Sequence, residues 1–116
     1  MSARDRFGYY SGYKIMWMLV MFDLPVATKR QARQAHKFRE YLLDLGFERS
    51  QFSVYMRFCN GKEQVEQYVH KIGQNLPEYG DVHMLSFTDR QYENIVRYSG
   101  KSRQEARKNP NQLALF

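Results

Sequence analysis

The sequence predicts an α+β fold of order βαββαβ, and three observations carry that prediction. An apolar run from Met16 to Phe22 ends on Asp23 just before Leu24-Pro25, the pattern of a buried strand closing at a turn. Two later stretches place apolar residues at helical spacing, each opened by a capping signal. The segments between and after them are rich in β-branched and aromatic residues, which favour strands.

The elements follow in order. Thr28-Lys29-Arg30-Gln31 sets a hydroxyl and an amide three residues apart, a capping box, so a helix is expected from about Lys29 to Leu45. Ala35, Phe38, Leu42 and Leu45 form its apolar stripe, and Gly46 supplies the stop. Phe47 to Gln51 and Ser53 to Phe58 read as two strands of a tight hairpin, broken near Gln51 and Phe52. Asn60-Gly61-Lys62-Glu63 repeats the capping logic with a weaker cap. Val65, Tyr68, Val69, Ile72 and Leu76 then share the face of a second helix that Pro77 and Gly80 end. Asp81 to Thr88 is a fourth strand, with His83, Leu85 and Phe87 on one side and Val82 and Met84 on the other. Thr88-Asp89-Arg90-Gln91 begins a short helical turn, and Ile95 to Tyr98 reads as a brief extra strand.

This order is the split-βαβ, ferredoxin-like arrangement, an antiparallel four-stranded sheet with both helices on one face. The other face is then bare: it must be solvated, stack RNA bases, or pack against a second copy. The domain is expected over residues 1–98, with a basic, flexible tail over 99–116. That tail ends in Leu113-Ala114-Leu115-Phe116, where Leu113, Leu115 and Phe116 are expected to dock on a partner.

Composition narrows the function. A chain of 116 residues is one domain's worth, and 43% hydrophobic with 16% aromatic content excludes a disordered chain. A net charge of +6 favours a polyanionic partner, nucleic acid first. The single cysteine, Cys59, cannot form an internal disulfide, and no zinc-type Cys/His spacing occurs, so a reducing, cytoplasmic setting is expected. The run from Met16 to Phe22 is too short to span a bilayer, and the residues before it have no signal-peptide core; no membrane partner is expected.

Asp23 is the foremost candidate for chemistry. A carboxylate at the carboxyl end of a core strand is held rigidly yet reaches solvent, which suits divalent metal binding or acid/base work. An Asp before Leu-Pro is equally a turn former. Lys29, Arg33 and Lys37 lie four apart on one helix flank with Arg30 beside them, a track for phosphates or simply a solvated face. Arg57, Arg90 and Arg97 are further phosphate candidates. Ser53, in the hairpin beside the first strand, could orient Asp23 or make a cross-strand hydrogen bond. His36, His70 and His83 form no ligand pair and are read as packing or surface residues.

Met21-Phe22-Asp23-Leu24-Pro25, the basic helix with Lys37-Phe38-Arg39, Gly46-Phe47 and above all Gln51-Phe52-Ser53-Val54-Tyr55 resemble the small CRISPR-associated protein two (Cas-two) family over residues 14–98. Phe22-Asp23-Leu24-Pro25 and Asn75-Leu76-Pro77 are similar to members from systems with a single-protein, RNA-guided effector. The resemblance implies a homodimer in which Ile95 to Tyr98 completes the neighbour's sheet, and in which Asp23 of both copies binds Mg2+ at the dimer axis. It makes Asp23 the catalytic and metal-binding residue, and ranks Arg30 first among the nucleic-acid contacts. Many relatives carry Tyr before that Asp; here it is Phe22, so a hydroxyl expected near the metal is lost.

Two functions follow from the resemblance, of which the second is the expected biological role and the first an accompanying intrinsic activity. One is a Mg2+-dependent endonuclease acting on RNA or DNA. The other is a spacer-acquisition adaptor that bridges two dimers of the CRISPR integrase and holds double-stranded protospacer DNA along its basic surface. Apart from the family, a ferredoxin-like RNA-binding module without catalysis is the alternative, but Ser53 to Phe58 lacks the Gly/aromatic run that such modules carry.

Overall fold

The computed structural model describes residues 15–104, and its element order bears out the βαββαβ reading. Strand β1 (Met16–Asp23) leads into helix α1 (Lys29–Asp44), strands β2 (Glu48–Gln51) and β3 (Val54–Cys59), helix α2 (Lys62–Gly73) and strand β4 (Asp81–Thr88). The four strands form one antiparallel sheet in the order β2-β3-β1-β4. β1 is therefore central, flanked on both edges, and this is why its sequence is apolar almost throughout.

Alternation along β1 divides the molecule into two layers. Met16, Met18, Val20 and Phe22 face the helices and pack with Phe38 and Leu42 of α1, Val65 and Ile72 of α2, and Phe47, Tyr55 and Cys59. The capping box that opens α1 is formed as expected: the Gln31 N–H donates to Thr28 Oγ1 and the Thr28 N–H to Gln31 Oε1, both at 3.1 Å. Gly46, at φ +91°, reverses the chain after α1, a conformation that other residues adopt only under strain.

Trp17, Leu19 and Met21 point the other way, and this face is only partly bare. Helix α3 (Asp89–Glu93) folds across one end of it and stacks Tyr92 on Trp17 with ring centroids 4.1 Å apart. Trp17 Nε1 donates to Asp89 Oδ1 at 2.9 Å, so the indole's polar edge is satisfied within its own cluster. The helical turn was legible from its capping residues but its docking was not, because a five-residue helix carries too little pattern to reveal a buried face. Beyond that cover, Met21 and Leu85 remain exposed at 38% and 48%.

Three expectations are corrected. Helix α2 is capped by Gly61 at φ 120° with no side-chain cap bond; Asn60 instead donates its backbone N–H to Gln64 Oε1 at 2.8 Å. Val69 and Leu76 are exposed, since α2 ends at Gly73 and Tyr68 takes the inward position against the Phe47 ring. In place of one strand over Ile95 to Tyr98 there is a hairpin, β5 (Arg97–Ser99) and β6 (Ser102–Gln104), turning at Gly100 with φ +63°. Leu113, Leu115 and Phe116 lie outside the described residues.

Candidate functional site

Asp23 sits at the carboxyl end of β1, exposed, on the same sheet face as Met21. Three backbone features fix it there. The Phe22 N–H donates to the Ser53 carbonyl at 3.1 Å, tying the strand end to the β2–β3 turn. Ser53 itself is held at φ 64°, and its backbone carbonyl accepts the bond that positions this end of β1. On the other edge Gly80, at φ +102°, lies so close that a Cβ would stand 2.6 Å from the Asp23 carbonyl oxygen and 2.8 Å from Leu24 Cδ2. Only glycine fits.

Register adds a carboxylate that the sequence reading did not single out. Asp81, the first residue of β4, is the direct partner of Asp23 across the β1–β4 ladder. Directly opposed residues of an antiparallel pair share a face, so two acidic side chains stand together at this end of the sheet. The signal was present in the sequence as an Asp opening a strand, but it means little until the pairing is known. His83 is on the same face, opposite Met21. Among the described residues no three His, Cys, Asp or Glu side chains gather into a metal-holding group, so within one chain the cluster stops at a carboxylate pair.

Phe22 is on the opposite face from Asp23, which corrects the expectation of a hydroxyl lost near the metal. Its ring is buried against Phe38 (edge-on, 5.2 Å) and Tyr55 (stacked, 5.6 Å), so a phenol here would enter the core beneath Arg39 rather than the carboxylate site. The cause is the two-residue alternation of a strand, which sends neighbours to opposite sides.

The basic candidates part ways. Lys29, Arg33 and Lys37 are exposed along one flank of α1, as expected. Arg30 is drawn into an exposed ion pair with Glu78 Oε1 at 2.6 Å, buttressed by Gln34, which donates to the same oxygen at 3.0 Å. A pair this open is worth about 0–1 kcal/mol, so it positions Arg30 toward the loop after α2 without adding much stability. Arg57 turns inward on the helix side of β3: its Nε donates to the Leu45 carbonyl at 3.1 Å, its Nη1 to the Phe58 carbonyl at 3.0 Å, and its guanidinium lies 4.7 Å from the Tyr68 ring centroid. It closes the carboxyl end of α1, a helix with no basic residue in its own last turn. This is a structural assignment in place of the phosphate contact expected from sequence.

Arg90 and Arg97 are exposed, on α3 and β5. Burial pushes the Cys59 thiol up from its ordinary range, against a smaller opposing pull from Arg57, so the thiol stays protonated at neutral pH. A protonated, buried thiol is no nucleophile. No helix among the described residues is long and apolar enough to cross a membrane.

Fold and site together define a ferredoxin-like protein with a rigidly held carboxylate at the end of its central strand and a partly uncovered apolar sheet face. The model of the family described as CRISPR associated protein Cas2 matches residues 16–95, and the chain belongs to that family. It is 52% identical over 106 residues to a protein of Paracidovorax avenae, covering 91% of this chain and 98% of the relative. It is 40% identical over 104 residues to one of Flavobacterium psychrophilum, covering 90% of each, and 42% identical over 101 residues to one of Parvibaculum lavamentivorans, covering 87% of this chain and 100% of the relative. Each of the three is named CRISPR-associated endoribonuclease Cas2.

Proposed function

We propose that this protein is a homodimeric, Mg2+-dependent endonuclease of RNA, joined through its uncovered sheet face so that Asp23 of both copies shares one site. The observation that carries the reading is the placement of Asp23: exposed and fixed from both edges, at the rim of an apolar surface that includes Met21 and Leu85. The name of the three relatives supports RNA as substrate.

The residues fit the metal. Asp23 and Asp81 offer the hard carboxylate oxygens that Mg2+ prefers, and such ions are commonly held by one or two carboxylates with water completing the shell. When bound, Mg2+ supplies charge neutralisation and an activated water for attack on a phosphodiester. The protein's own part is to hold Asp23 still, through Ser53 and Gly80, and to exclude bulk water along the joined faces. A cut that needs both copies predicts that Leu85→Lys, on the exposed face, yields a folded monomer that does not cleave single-stranded RNA. A monomer that cleaves as well as the wild type would sink the shared-site reading.

The exposed Lys29, Arg33 and Lys37 flank favours a second role, holding double-stranded DNA while bridging dimers of the CRISPR integrase during spacer acquisition. Phosphate contacts of this kind carry little sequence preference, as capture of arbitrary DNA requires. Duplex binding followed against salt tests it.

A further inference from the structure

At the Asp23 end of the sheet the aromatic ring of Phe52 is left outside the core. Phe52 is the most exposed of the large apolar side chains among the described residues, at 73%. It stands at the tip of the β2–β3 turn, immediately before Ser53, whose left-handed backbone and bond to the Phe22 N–H hold the tip against the end of β1. Two guanidinium groups lie on it, Arg49 at 5.2 Å and Arg39 at 5.5 Å from the ring centroid. Arg39 is also 5.6 Å from the ring centroid of Phe22, the residue before Asp23, so the exposed and buried rings are linked through one cation.

A solvent-exposed aromatic ring with two guanidinium groups lying over it has the complement of an unpaired nucleotide: a π-surface on which a base can take the place of a guanidinium, and positive charge beside it for the flanking phosphates. A duplex offers its phosphates but keeps its bases stacked and unavailable. We propose that Phe52 is a stacking platform for one base of single-stranded RNA, with Arg39 and Arg49 meeting the adjoining phosphates, and that it guides the strand over the end of the sheet toward Asp23. This rests on the nucleic-acid reading above and adds to it a positioning residue with a preference for unpaired substrate.

The test measures binding without cleavage. In the Asp23→Ala background with EDTA, a labelled single-stranded RNA and its duplex with the complementary strand are titrated by fluorescence anisotropy. Adding Phe52→Ala is expected to weaken single-strand binding about tenfold, the usual worth of one stacked base. Phe52→Tyr restores it, and duplex binding stays unchanged. Dimer content and unfolding temperature are compared throughout, and both should hold, because the ring is exposed.

Unchanged single-strand binding by Phe52→Ala overturns the proposal. So does an equal loss for the duplex, a change in dimer content that would make Phe52 a protein contact, or failure of the parent protein to bind single-stranded RNA at all. If Phe52→Ala loses binding while the wild-type protein never cleaves with Mg2+, the platform stands and the metal chemistry is what fails.

Discussion

Asp23 and Asp81 face each other across the β1–β4 ladder, the last residue of one strand against the first of the other. Like charges directly opposed on a sheet are destabilising by about 0.2–1 kcal/mol, and the loss shrinks as salt screens it. Asp81→Asn is therefore expected to raise stability by that amount at low salt in EDTA. Mg2+ should reverse the advantage, since a cation between two carboxylates stabilises wild type more than the variant. Thermal unfolding in EDTA and in Mg2+ reads both effects; a variant less stable in EDTA would contradict the pairing.

Gly80 and Gly73 make a paired test of what fixes Asp23. Gly80→Ala would place a Cβ against the Asp23 carbonyl at a φ of +102°, and is expected to cost more than about 1–2 kcal/mol and to displace the carboxylate. At Gly73, the last residue of α2, an added Cβ meets nothing within 4 Å, so Gly73→Ala should be neutral or stabilising by up to about 1 kcal/mol. Denaturant unfolding of both variants checks the contrast.

The sequence was most informative where local rules and tertiary packing agree. The Thr28 and Thr88 helix starts both carry complete capping boxes, and the two-residue alternation of β4 placed Val82 and Met84 toward the core. Asp23 was legible for the same reason, as a polar residue ending an apolar strand. Arg57 and Arg30 were not legible as they stand, because their partners, the Leu45 carbonyl and Glu78, come from other segments that only the fold brings near. Asp81 likewise acquires meaning from register alone. Phe22 was read as a neighbour of the metal because it is adjacent in sequence, whereas a strand separates such neighbours by its full thickness.

Lys29, Arg33 and Lys37 make a countable prediction. Each phosphate contact on duplex DNA contributes about −0.9 to the slope of log K against log salt. Replacing all three with alanine should make the slope shallower by about two to three, uniformly across sequences. An unchanged slope would mark the flank as a solvated helix face and remove the DNA-holding role from it.

The most direct measurement is cleavage of labelled single-stranded RNA by rigorously nuclease-free protein, in Mg2+ and in EDTA, beside Asp23→Ala of equal dimer content. The shared-carboxylate account predicts cleavage that requires Mg2+ and falls at least a hundredfold in the variant, about 2.7 kcal/mol of lost transition-state stabilisation. Cleavage that persists in Asp23→Ala, or that ignores EDTA, would contradict it.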